Sequence, residues 1–77
     1  MNHKRRKKLS DIQIRLTEQQ ELLEKVMDDE QEALENVPEN LWNSEQYSAM
    51  EDAVSAIEDA LDGLQGACES IEAAICA

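Results

Sequence analysis

Residues 47–75 read YSAMEDAVSAIEDALDGLQGACESIEAAI, and this stretch decides the fold. Its large apolar residues recur at spacings that alternate between three and four. That alternation is the heptad pattern of an α-helix packed lengthwise against another helix. The series consists of Tyr47, Met50, Val54, Ile57, Leu61, Leu64, Cys68, Ile71 and Ile75. We therefore predict a long helix whose apolar seam faces a partner helix.

Small residues form a second stripe beside this seam. With Val54 at heptad position a, every g position is alanine, and the c positions also hold small residues. A helix side that faces only solvent gains more solubility from Lys or Glu than from Ala or Gly. We therefore expect a close second contact, and with it a homodimer. The residues expected to form it are Ala53, Ala60, Gly63 and Ala67.

The first half of the chain predicts a less regular helix. One heptad frame contains Leu9, Ile12, Leu16, Leu23 and Val26. Polar residues, Gln19 and Glu30, fall on core positions of that frame, while Leu22, Met27 and Leu34 lie to its sides. We expect the seam to drift towards the Leu23, Met27 and Leu34 line, and Ile14 to lie off the seam.

Pro38 separates the two helical patterns because it cannot continue a helix and favours an extended residue before it. Asn43 or Ser44 can then cap the second helix. The predicted fold is all-α, a coiled-coil-like antiparallel two-helix hairpin that dimerises into a four-helix bundle. Residues 1–77 form one domain, with helices at 3–36 and 44–75 and a loop at 37–43.

The charge of the chain changes sign along its length. The net charge is −11, yet no Lys, Arg or His follows Lys25, and fourteen Asp and Glu residues lie from Asp28 to Glu72. Along a hairpin ~45 Å long these give about one charge per 3 Å, close to the ~3.4 Å phosphate spacing of one DNA strand. This density favours a non-enzymatic module that docks on a basic protein surface and imitates nucleic acid, inhibiting a nucleic-acid-binding protein.

The carboxylates expected to bind that partner lie on both helices. They are Glu51, Asp52, Glu58, Asp59 and Asp62, supported by Asp28, Glu32 and Glu35. The alternative is a self-associating structural protein whose acidic side is an ordinary solvated surface.

The basic run from Lys4 to Lys8 also has two interpretations. In an antiparallel hairpin it lies beside residues 73–77, where cations stabilise the negative end of the second helix. Cations are unfavourable at the start of their own helix, so Ser10 is an alternative first residue. As a direct nucleic-acid contact, the run would sit next to a strongly repulsive acidic body.

Other function classes find little support in the sequence. No apolar run approaches the ~20 residues of a membrane span, and we expect a cytoplasmic protein with no membrane contact. Cys68 and Cys76 lie ~12 Å apart along one helix, too far for a disulfide, and with His3 they do not form the tight ligand pairs of a zinc site. Sequential acidic pairs without a nucleophile or base predict no catalysis and no cofactor.

The segment from Glu30 to Leu41 (EQEALENVPENL), followed by Ser44-Glu45 and by Met50 to Ala53, resembles small acidic helical proteins encoded in prophages and mobile elements of Firmicutes. In those proteins a Glu-Gln-Glu-Ala helix end meets a short Pro-Glu loop and a second helix rich in Glu and Ala. The resemblance implies a mobile-element context and no assigned activity. By analogy, such proteins resemble the class that blocks nucleic-acid-binding proteins of the host.

Overall fold

The computed structural model describes residues 1–77 and consists of two antiparallel helices. Helix α1 runs through His3–Glu35 and helix α2 through Glu45–Cys76, with one 3₁₀ turn at Glu39–Leu41 between them. The helices pack along their whole length, so the molecule measures 59 × 15 × 13 Å. The predicted all-α hairpin is confirmed.

Side chains cap the first turn of each helix. The Asn2 side chain accepts a hydrogen bond from the Arg5 backbone N–H at 2.9 Å, and Ser44 does the same for Tyr47 at 3.1 Å. Each cap satisfies a backbone N–H that has no partner inside the helix. The basic run is therefore helical from His3, and the alternative start at Ser10 is wrong.

The loop between the helices is short. In it, Pro38 has an extended conformation and separates α1 from the 3₁₀ turn. The indole N–H of Trp42 donates to the Val37 carbonyl at 3.0 Å, and its ring stacks on Tyr47 with centroids 6.2 Å apart. Leu41 and Trp42 remain 48% and 49% exposed. They therefore cover the closed end of the hairpin only in part.

Two hydrogen bonds between the helices fix their register near the open end. Arg6 Nη2 donates to the Ala77 oxygen at 2.8 Å, and Gln13 Nε2 donates to the Cys68 carbonyl at 3.2 Å. A residue of α1 and a residue of α2 therefore lie level with each other, at the same height along the hairpin axis, when their numbers add up to about 82. Arg6 also places one positive charge of the basic run at the negative end of α2, as expected from the helix dipole.

The contact seam of α2 follows the sequence pattern. Val54 is buried, and the other eight residues of the heptad series are half-buried. Val54 is the one buried residue among 77, so the hairpin has a seam and little core.

The seam of α1 includes Leu23, Met27 and Leu34, as predicted, but it differs from the predicted frame at Ile12 and Val26. Apart from Ser10 beside the seam, its half-buried residues keep a spacing of three and four that continues to Val37 in the loop: Arg6, Leu9, Gln13, Leu16, Gln20, Leu23, Met27, Glu30, Leu34 and Val37. Ile12 and Val26, assigned to the seam from their hydrophobicity, are instead 46% and 50% exposed. Gln13 occupies the seam beside Ile12 because its amide hydrogen-bonds both the Cys68 carbonyl and Glu72 Oε2, the latter at 3.1 Å. Ile14 is 58% exposed and lies off the seam, as predicted.

Candidate functional site

The corrected seam shows which residues of the two helices share a side of the hairpin. In an antiparallel pair of helices, the heptad g positions of one helix lie beside the g positions of the other. The e positions of the two helices lie beside each other on the opposite side of the seam. Gln13 and Glu72 meet on one side. On the opposite side, the line of Ile12 and Val26 lies next to the line of Ala53, Ala60 and Ala67. The hairpin therefore has two broad faces of different chemistry.

The first, which we call the acidic face, contains the carboxylates predicted to bind a partner. All eight are exposed: Asp28, Glu32, Glu35, Glu51, Asp52, Glu58, Asp59 and Asp62. They lie on the same side of the hairpin as Glu72 and on its outer edges. Glu35 Oε1 accepts a hydrogen bond from Gln31 at 3.2 Å, a contact within α1 that leaves its charge unpaired by any cation.

The register brings the two halves of the acidic face together near the loop. Asp62 lies about level with Gln20, so the eight carboxylates span about 15 residues of helix, or ~22 Å. Their mean separation along the hairpin axis is about 3 Å, close to the ~3.4 Å between phosphates of one DNA strand. The structure thus concentrates the predicted set in the half of the hairpin nearer the loop.

The second face, which we call the apolar face, lies opposite. Helix α2 contributes the small residues Ala53, Ala56, Ala60, Gly63 and Ala67. Helix α1 contributes Ile12, Leu22, Val26 and Ala33. A Cβ atom built on Gly63 meets nothing within 4 Å beyond its chain neighbours and the backbone of its own helix, so the space above this part of α2 is open.

Sequence reasoning assigned the small residues of α2 to a second contact but missed the contribution of α1. Ile12, Leu22 and Val26 are 46%, 53% and 50% exposed, and Leu22 lies about level with Ala60. The signal was present in the sequence, since Ile12, Gln19, Val26 and Ala33 repeat at intervals of seven. The predicted frame obscures it because Ile12, Gln19 and Val26 all fall on core positions of that frame.

Smaller features complete the surface. Cys68 is a half-buried free thiol and Cys76 an exposed one, whose sulfur lies 3.6 Å from Glu72 Oε1. No three His, Cys, Asp or Glu side chains are grouped closely enough to hold a metal ion.

Neither helix has an apolar stretch sufficient to cross a membrane. A cleft of about 230 Å³ at the closed end lies between the loop and the start of α2, lined in part by Val37, Pro38 and Met50.

Comparison with known proteins gives no relative from which to transfer a function. No protein family, no curated protein and no solved structure matches the chain. The resemblance to mobile-element proteins of Firmicutes therefore stays a prediction, and the functional argument depends on the two faces alone.

Proposed function

We propose that the protein is a non-enzymatic binding module whose acidic face docks on a basic protein surface. The observation that carries this proposal is the concentration of eight exposed carboxylates, from both helices, on one side and the outer edges of the loop half. Their axial spacing of about 3 Å matches that of phosphates along a nucleic-acid strand. A nucleic-acid-binding protein is the partner class that this spacing fits best, and occupying its groove would inhibit it.

Rigidity supports recognition by this face. The carboxylates of α2 project from a capped helix held against α1 along its length, so their spacing does not depend on a mobile loop. The exposed carboxylates stay hydrated in the free protein, so holding them there carries little desolvation cost. A surface of one charge sign also steers a basic partner towards it. Affinity should then depend on the positions of the carboxylates as well as on their number.

A self-associating structural protein is the second candidate function, favoured by the apolar residues that α1 leaves exposed. Self-association and acidic binding use opposite faces and are compatible. They differ in their dependence on salt, because screening over ~8 Å at physiological ionic strength weakens exposed charge pairs and leaves apolar contacts intact.

The proposed function is tested with two variants of equal net charge. The first replaces four carboxylates that α2 contributes to the acidic face by their amides: Glu51→Gln, Asp52→Asn, Glu58→Gln and Asp59→Asn. The matched control neutralises four exposed carboxylates in the open half: Asp11→Asn, Glu18→Gln, Glu69→Gln and Glu72→Gln. Both variants lose four negative charges, and both should keep the helical circular dichroism of the wild type.

Each protein is immobilised and used to capture proteins from a bacterial lysate at roughly 50 mM and 200 mM salt, followed by elution with duplex DNA. We expect the wild type and the control to capture nucleic-acid-binding proteins that DNA displaces, and the first variant to lose most of this capture. Equal capture by both variants would show that only net charge matters and would refute a recognition site. Capture by the wild type that DNA does not displace would refute mimicry of nucleic acid.

A further inference from the structure

The hairpin exposes more surface than a folded monomer of its size. Its accessible surface is 5824 Å² for a mass of 8.7 kDa. A compact monomer of that mass exposes about 4,700 Å², from the scaling of surface with mass. The excess of about 1,100 Å² is comparable to the ~800 Å² that each partner buries in a standard protein interface. The chain would therefore have to bury about this much surface against a second molecule to expose as little surface as a compact monomer of its mass.

The apolar face is the surface with the right composition and extent for such a partner. From residue 12 to residue 33 of α1 this face is ~33 Å long, and at 15 Å wide it covers about 500 Å². Three large aliphatic side chains, Ile12, Leu22 and Val26, lie half exposed along it. Isolated exposed apolar residues need no explanation, whereas a contiguous patch of this extent marks an interaction site.

Two charged residues identify the occupant. Between residues 12 and 33 of α1, and between 53 and 67 of α2, the apolar face carries charge only at Arg15 and Asp29. Leu22 lies seven residues from each, on the same line of α1. A two-fold axis perpendicular to the helices at Leu22 places Arg15 of one copy opposite Asp29 of the other, twice per dimer. This face is complementary to itself, which is what an isologous dimer requires.

We infer that the apolar face binds a second copy of the chain, with α1 antiparallel to α1 and α2 antiparallel to α2. Leu22 meets its own counterpart at the centre, and the small residues around Ala60 and Gly63 allow the two α2 helices to approach closely. The product is a four-helix bundle whose acidic faces point in opposite directions. Such a dimer presents two separate acidic faces, so it can hold two basic partners at once.

The first test measures mass by sedimentation equilibrium at micromolar concentrations. The wild type should be a dimer, and Ala60→Glu and Leu22→Glu should each be a monomer at the same concentration while remaining helical. Gln65→Glu, an exposed position of α2 off this face, is the matched control and should stay a dimer. A monomeric wild type overturns the inference, as does a dimer that survives both substitutions on the apolar face.

The second test uses charge reversal to check the arrangement. Arg15→Asp and Asp29→Arg each place like charges opposite each other at both symmetric positions, so each should raise the dimer dissociation constant roughly tenfold or more. Mixing the two variants restores opposite charges at both positions and should give a heterodimer about as tight as the wild type, measured by the same sedimentation experiment. If the two-fold axis ran along the helices, Arg15 would face Ala67 of the second copy. A mixture no tighter than the separate variants would then overturn the antiparallel arrangement.

Discussion

Leu61→Asp tests the seam at the middle of the hairpin. Leu61 is half-buried and lies about level with Gln20 and Leu23 of α1. Losing half of the burial of a Leu side chain costs ~1 kcal/mol, and a carboxylate held in the seam without a partner adds ~1–3 kcal/mol. The expected loss is therefore about 2–4 kcal/mol. A domain of this length has a total stability of roughly 4–12 kcal/mol, and a hairpin with one buried residue belongs near the lower value.

We expect Leu61→Asp to remove most of the helical circular dichroism or to shift the urea midpoint strongly towards zero. Asp62→Asn is the matched control because Asp62 is the adjacent residue and is exposed on the acidic face. Its effect should stay within about 0.5 kcal/mol, as is usual for surface substitutions. All three proteins must be compared at one concentration, because an associating protein gains stability by mass action. Equal loss of stability in both variants would mean that the seam is misassigned.

Two further predictions concern single hydrogen-bonded side chains. Ser44→Ala removes the cap on the Tyr47 N–H and should cost about 1 kcal/mol in urea unfolding, whereas Ser44→Asp should retain the cap; equal losses would show that the cap does not stabilise α2. Gln13→Ala removes the amide that bonds Cys68 and Glu72 and should cost about 1 kcal/mol. It should also speed amide hydrogen exchange at the C-terminal end of α2 more than near Ser44, and uniform acceleration along α2 would contradict the local role of Gln13.

The sequence predicted α2 well because its apolar residues carry the whole heptad signal. From Tyr47 to Ile75 no polar residue falls on the seam, so one frame fits. The turn was also predictable, since Pro38 can neither donate a backbone hydrogen bond nor continue a helix. The choice of Ser44 over Asn43 as the cap could not be made from composition, because both side chains can accept the same hydrogen bond.

Helix α1 was misread because hydrophobicity and position on the helix disagree there. Its seam holds polar residues at Gln13 and Gln20. The aliphatic Ile12 and Val26 each lie one residue before a seam residue and belong to the apolar face. A search for the most apolar frame assigns those aliphatic residues to the contact with α2. The correct frame emerges only when Gln13 is seen to bond the backbone of α2, a contact that residue type alone does not predict. When the same frame is applied to both helices, Ile12 and Val26 of α1 lie beside the alanines of α2.

The central claim is that the two faces have separate roles, with the acidic face reserved for a basic partner. Carbodiimide labelling of carboxylates, read by mass spectrometry, tests it most directly when the free protein is compared with protein saturated by a captured, purified partner. We predict strong protection at Glu51, Asp59 and Asp62, and unchanged labelling at Asp11 and Glu18 in the open half. Protection spread evenly over all carboxylates, or absent from the loop half, would contradict a binding site on the acidic face.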